Sequence, residues 1–265
     1  MEIGINLFCC GTLENASIDE QIRLMQENGF FHTFSMSDKE ELTSEEIKKI
    51  QKSGITFDFL HLPFREINNL YSDFETSLPM FKIISEGIEK CARHEIPQAV
   101  LHLSAGKKPP INDVGIERFC VLMEKARSLG VKIAFENLRT LGNISLTFEK
   151  HEDAGFCWDT GHEVCFTPGK KFMPLFADRL SAVHLHDNRG IYDSDDHMIP
   201  YDGKVDFNRV AKELANAGYN GTLMAELHKT RTEAYQTMSA KDFYKRAAEA
   251  LNKLKKQIAY YKNVE

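Results

Sequence analysis

The feature that most restricts the fold of this chain is an alternation. Short β-rich runs, each followed by a helix-patterned run, recur through its 265 residues. The strand candidates are residues 2–8, 30–36, 56–62, 99–103, 131–135, 155–158, 181–186 and 222–227. Ser17 opens the first helix, with Ile18, Ile22 and Met25 on one stripe and Asn28-Gly29 at its end. Glu20, three residues after Ser17, completes a capping signal. Later helices are expected near 44–54, 78–94, 114–129, 146–151, 172–177, 207–217 and 241–260. The strands are nearly continuous apolar runs, the mark of a parallel sheet covered on both faces. Eight such units in a chain close to the typical size of about 250 residues predict one closed (β/α)8 barrel spanning 1–265. A doubly wound open sheet is the alternative. No G-x-G-x-x-G or G-x-x-x-x-G-K-[ST] follows the first strand, so no nucleotide cofactor is expected.

The balance of charge narrows the partners. With 33 Lys+Arg against 39 Asp+Glu the formal charge is −6, which argues against broad attraction to a phosphate backbone. No apolar run reaches the roughly 18 residues of a membrane span, and the start MEIGINLFCCGTLENAS lacks a basic leader. Cys9, Cys10, Cys91, Cys120, Cys157 and Cys165 form no C-x-x-C pair. They read as reduced thiols of a cytoplasmic protein. A small-molecule partner is expected, and neither nucleic acid nor a membrane is; an oligomer stays open.

In a barrel of this kind, chemistry sits where the C-terminal strand ends meet the βα loops. Those ends carry a run of titratable residues: His61, His102, Glu136, Asp159 and His162, then His184, His186 and Asp187, and finally Glu226 and His228. The loop after strand seven adds Asp195 and His197. Any one of these alone reads as a solvated rim residue. Together, Glu136, Asp159, His184 and Glu226 end four consecutive strands and are placed to converge. Three carboxylates that close would repel unless a cation lay between them. Three carboxylates with one imidazole suit Mn²⁺, Mg²⁺, Co²⁺ or Zn²⁺.

The segments HLPF, LHLS, AFEN, CWDTGHE, VHLHDN with the following DDH, and AELH occur in this order at these strand ends. In this respect the chain resembles the xylose-isomerase-like TIM barrel superfamily, which holds the sugar phosphate isomerases and epimerases and endonuclease IV (AP endonuclease family 2). The resemblance covers essentially the whole chain. It implies metal ligation by Glu136, Asp159, His184 and Glu226. The spacing of the ligand histidine to Asp187 selects His184, and His186 becomes a pocket-lining residue. The endonuclease IV branch binds three zinc ions, and its additional ligands would fall on His61, His102, His162, Asp195 and His197. The loops after His61 and Glu136, however, carry only Arg65 and Arg139 as basic residues, fewer than a grip on DNA needs. The ketose 3-epimerases have an acidic residue where this chain has Gly142 and an arginine where it has Gly190, with Arg189 beside it. Isomerases, other epimerases and related dehydratases stay open.

The expected activity is that of a divalent-metal-dependent isomerase or epimerase acting on a small sugar, sugar phosphate or related polyol carbonyl compound. Glu136 and Glu226 would move the proton beside a carbonyl through an enediolate. His61, His102, His162, His186, Arg189 and His197 would bind substrate hydroxyls, with Asp195 and His197 open as ligands of a further ion. Trp158 is expected to pack beneath the site. The alternative is endonuclease IV-like, zinc-dependent hydrolysis of abasic DNA.

Overall fold

The strands are β1 (Ile3–Asn6), β2 (His32–Met36), β3 (Thr56–His61), β4 (Gln98–Leu101), β5 (Lys132–Glu136), β6 (Gly155–Asp159), β7 (Leu180–His184) and β8 (Leu223–Ala225). The helices are α1 (Ile18–Glu27), α2 (Ser44–Lys52), α3 (Phe74–Arg93), α4 (Asp113–Ser128) and α5 (Leu141–Lys150), then α6 (Thr160–Cys165), α7 (Met173–Phe176), α8 (Phe207–Asn216), α9 (Glu233–Gln236) and α10 (Ala240–Lys262). The computed structural model describes residues 1–11, 17–36 and 42–264.

All strand pairs are parallel, in the order β7-β6-β5-β4-β3-β2-β1-β8. The two ends of this sheet meet through a bridge from Leu185 to Ala225. There the Leu185 amide donates to the Met224 carbonyl at 2.8 Å and the Glu226 amide to the Leu185 carbonyl at 3.3 Å. That contact makes the sheet a nearly closed (β/α)8 barrel and removes the open-sheet alternative.

Local signals explain most of the elements. Ser17 caps α1 by accepting the Glu20 amide at 3.2 Å. Thr43 and Glu46 form a reciprocal capping box at α2. Gly54 and Gly130 follow α2 and α4 with φ of 88° and 70°, values that suit a residue without Cβ. Four helices depart from expectation, the short α9 among them, which matches none of the expected runs. α3 starts at Phe74 because Asp73, not a later residue, accepts the Thr76 amide. α5 starts at Leu141, ahead of the expected 146. α6 follows β6 without a loop and was not anticipated.

Strand alternation sorts the interior. Phe34, Phe59, Val100, Ala134, Cys157, Ala182 and Met224 cluster inside the barrel. Phe135, Phe156, Trp158 and Val183 point outward into the layer beneath the helices. Trp158 is fully buried there, with the Arg209 guanidinium 5.6 Å from its ring centre. None of the six cysteines is in a disulfide. No described helix is long and apolar enough to cross a membrane.

Candidate metal centre

Glu136, Asp159 and His184 are the last residues of β5, β6 and β7, and Glu226 directly follows β8. One ligand atom from each lies within 4.8 Å of the others. His184 Nδ1 stands at the centre: 3.3 Å from Glu136 Oε1, 3.2 Å from Glu226 Oε2 and 3.9 Å from Asp159 Oδ2. All four side chains are buried.

The polar atoms of this cluster are not satisfied by the protein. Glu136 Oε1, Glu226 Oε2 and both ring nitrogens of His184 are buried and lack a hydrogen-bond partner. Leaving such atoms unmet costs about 1–3 kcal/mol each. A divalent cation would satisfy the oxygens and offset the repulsion among the carboxylates. The donor set, three carboxylates and one imidazole, therefore fits such an ion.

The neighbouring imidazoles are arranged around the same carboxylates. His61 Nε2 and His102 Nε2 lie 3.1 Å and 3.0 Å from Glu136 Oε2. His186 Nε2 lies 3.0 Å from Asp159 Oδ2. His162 Nδ1 lies 3.0 Å from Glu136 Oε1, and its Nε2 lies 3.6 Å from Asp195 Oδ2. Asp195 Oδ2 also meets His197 Nε2 at 2.7 Å. Three further sets of ligand-type groups occur among the described residues: His61 with His102 and Glu136, Asp159 with His162 and His186, and His186 with Asp195 and His197.

Charge and burial oppose one another throughout. Burial disfavours ionised Glu136, yet His184 and His102 hold its carboxyl well below the usual range. Glu226 is likewise buried and held well below the usual range, chiefly by His184 and His197. Burial disfavours protonated His162, but Asp159 and Asp195 push its pKa well above the ordinary imidazole value. For His186 the same contest, against Asp159, ends at about 9. For His102 burial dominates and the value falls.

Above the carboxylates a cavity of about 130 Å³ opens outward. That is below the ~300–1,000 Å³ of drug-sized ligand sites. His61, His102, His162 and His197 line it together with the apolar Met36, Phe64, Leu138 and Phe166. Phe64 stacks on His102 with ring centres 4.1 Å apart, fixing that imidazole. His186, expected as a pocket-lining residue, does not line this cavity and instead faces Asp159. Arg189 departs from expectation: its guanidinium grips Asp196, at 2.6 Å and 3.1 Å, and the residue does not line this cavity.

Two positioning residues, Asn137 and Thr160, carry no readable signal, and a third, Asp187, has a role that its spacing to His184 does not announce. Asn137 ties β5 to β6: its Oδ1 accepts the Asp159 amide at 2.7 Å and its Nδ2 donates to the Asp159 carbonyl at 2.9 Å. The Thr160 hydroxyl donates to the His186 carbonyl at 3.0 Å. Asp187 accepts the amides of Asn188, Gly203 and Val205 at 2.7–2.9 Å, which folds the β7–α8 connection so that Asp195 and His197 reach the site. Only the neighbourhood of each to a strand end could have flagged them.

Residues 20–257 match a family model described as xylose isomerase-like TIM barrel. The uncharacterized protein y4fM of Sinorhizobium fredii is 35% identical over 106 residues, a stretch that covers 40% of this chain and 32% of that protein. The chain thus spans about a third of that relative's length. Among solved structures, D-psicose 3-epimerase from Clostridium cellulolyticum H10, crystallised with D-tagatose, superposes with a TM-score of 0.80 at 15% identity, covering 97% of this chain and 99% of that one. An L-ribulose 3-epimerase gives 0.78 at 14% identity, covering 99% and 96%. At these identities the two structures show a shared fold.

Proposed function

The chain belongs to the xylose isomerase-like TIM barrel family, and from that premise we propose that it is a divalent-metal-dependent isomerase or epimerase of a small polyhydroxylated carbonyl compound. The observation that carries this reading is the pair of unsatisfied carboxylate oxygens, Glu136 Oε1 and Glu226 Oε2, facing His184 Nδ1 at the floor of a small cavity walled by imidazoles. The similar folds that act on ketoses support it.

Glu136, Asp159, His184 and Glu226 would hold the ion, which is Mn²⁺, Zn²⁺, Co²⁺ or Mg²⁺ by donor type. When bound it supplies Lewis-acid polarisation of a carbonyl oxygen. Glu136 ends β5 and Glu226 follows β8, and these strands lie three places apart around the barrel, so the two approach a substrate from different sides. One takes the proton from the carbon beside the carbonyl, and the other returns a proton to a neighbouring carbon or the opposite face. Both carboxyls sit below the usual range and are therefore ionised at neutral pH, as a base must be. His61, His102, His162 and His197 offer ring nitrogens to hydroxyls. Phe64, Phe166 and Met36 keep water off the rest of the molecule.

The test is solvent exchange. In D₂O, the metal-loaded protein should place deuterium on the carbon beside the carbonyl of a turned-over ketose or aldose, read by NMR. Absence of exchange across a panel of aldoses, ketoses and their phosphates would sink the reading.

A second reading, phosphodiester hydrolysis of the endonuclease IV kind, draws on the three additional ligand-type sets at the same mouth. Its mechanism divides the attacking water, the phosphate and the leaving oxygen among several ions. Three zinc ions per chain with incision of an abasic duplex would favour it over the lead. The charge of −6 and the small cavity favour the lead.

A further inference from the structure

Arg139, which lines the cavity, ties three loops together at its edge through Asp193, a residue outside the lining. Lys107 follows β4, Arg139 follows β5, and Asp193 lies in the β7–α8 connection. Arg139 and Lys107 both pair with Asp193, Lys107 at 2.7 Å. Two cations share one carboxylate, so this rim carries surplus positive charge beside a centre otherwise rich in carboxylates. Hydrogen bonds from both cations hold the Asp193 carboxyl below its usual value.

Arg139 is held in place. Its guanidinium lies 3.7 Å from the centre of the Phe166 ring, and Phe166 stacks on His162 with ring centres 4.6 Å apart. His162 in turn sits 3.0 Å from Glu136 Oε1. The stack thus fixes the arginine relative to the reacting end of the site. Arg139 lines the cavity, and its Nε is buried without a hydrogen-bond partner. The Nε side of a guanidinium is one of the edges that meets two oxygens of a phosphate or carboxylate at once. A hydroxyl can accept from such an edge singly, but two oxygens of one anionic group match both of its donors at once.

We propose that the substrate carries an anionic group, a phosphate or a carboxylate, away from its reacting carbonyl, and that Arg139 and Lys107 bind this group in exchange for Asp193. The inference rests on the proton-transfer reading of the same cavity and narrows its substrate class. Asp193 then acts as a placeholder, keeping the two cations paired while the cavity is empty. Ion pairs near a surface hold weakly, so an incoming dianion with three acceptor oxygens displaces the carboxylate readily.

The exchange makes a distinctive demand on Asp193. If Asp193 competes with the ligand, Asp193→Asn strengthens anion binding; if it merely braces Arg139, the same change weakens it. The first experiment is calorimetric titration of the metal-loaded protein with inorganic phosphate. Binding should weaken roughly 10- to 100-fold in Arg139→Gln, the range for loss of a charge-assisted hydrogen bond. It should weaken in the exposed Lys107→Ala as well, a change that leaves the buried stack untouched. It should tighten in Asp193→Asn. No binding by the wild type, equal binding by Arg139→Gln and Lys107→Ala (phosphate on the ion instead), or weaker binding by Asp193→Asn each overturns the proposal.

The second experiment compares deuterium exchange into D-fructose and D-fructose 6-phosphate, and into D-glucose and D-glucuronate. The phosphate and uronate arms separate the two sources of anion. The ratio of kcat/KM for the anionic over the neutral member should favour the anion in the wild type and fall in Arg139→Gln, mainly through KM. Exchange confined to neutral sugars overturns the anion inference and leaves the proton-transfer reading standing. Exchange into no sugar overturns that reading, whereas the phosphate titration reports on the rim by itself.

Discussion

Successive rungs of the same four strands carry opposite chemistry. Ala134, Cys157, Ala182 and Met224 point into the barrel and pack with Phe34, Phe59 and Val100. Two residues further along, on the same side of each strand, stand Glu136, Asp159, His184 and Glu226. The lower rung is apolar and buried; the upper holds three carboxylates and an imidazole with unmet polar atoms. The difference lies in what each rung excludes. Phe34 lies flat against His184, ring centres 5.1 Å apart and planes 13° apart, and Phe59 adds a second ring at 5.4 Å. These rings cover His184 from below, and the buried charges of the upper rung act through a medium less screening than solvent. The apolar rung thereby makes the polar one effective.

The largest expected effect strikes the upper rung alone. Glu136→Gln and Glu226→Gln keep the size of the side chain and remove the carboxylate proposed as base. Turnover should fall by about 10²–10⁴, the range for lost general acid–base groups. Metal content by elemental analysis should fall less than in Asp159→Ala. Near-normal turnover in either Gln variant would remove that residue from proton transfer.

A change to the lower rung should show the reverse pattern. Phe34→Ala should cost about 3–5 kcal/mol in denaturant unfolding while the bound ion count stays that of the wild type. A loss below 1 kcal/mol would mean that the floor is not close-packed. Metal removal probes the coupling between the rungs. Chelation should lower the melting temperature, by an amount that corresponds to about 2.7 kcal/mol if the ion is present at a hundred times its dissociation constant. An unchanged melting curve on full removal would show that the four residues hold no ion in the native protein.

The smallest effect falls outside both rungs. A Cβ on Gly203 would lie 2.5 Å from Asp187 Oδ1 and from the Asn188 carbonyl oxygen, atoms of the clamp that folds the β7–α8 connection. Gly203→Ala should cost about 1–3 kcal/mol by overpacking and displace Asp195 and His197. It should leave the ion held by the four strand-end residues in place. Loss of that ion would extend the upper rung's dependence to this loop.

The contrast between rungs also explains what could be read in advance. Near-continuous apolar strands broken by one acidic or imidazole residue at the end are a local pattern, and so the barrel and the meeting of Glu136, Asp159, His184 and Glu226 were legible. Register follows from a period of two once the barrel is assumed. The pairing of Arg189 with Asp196, seven residues later, is not legible from its spacing to His184. α6 was missed because six residues show no helical period. The shape of the β7–α8 connection was out of reach. Asp193, His197 and Tyr201 all adopt positive φ there, at 64°, 48° and 76°, and none is a glycine that would announce it. Contacts across many residues, such as Asp187 with Val205, leave no pattern in a single sequence.

Asp159 belongs to two structures at once. Its Oδ1 accepts the His162 amide at 2.6 Å and so starts α6, while its Oδ2 faces His184 and His186. A substitution that retunes the centre therefore also unwinds the turn that carries His162. Lengthening to Glu would move the capping oxygen as well as the one aimed at the site. Such a position has almost no neutral neighbours in sequence space. A lineage that adapts this barrel to a new substrate has its freedom at the edge, where the exposed Lys107 can be exchanged without touching the stack of Arg139, Phe166 and His162. The reaction type would then be inherited and the choice of substrate drift, because the first is written into residues with two duties and the second into residues with one.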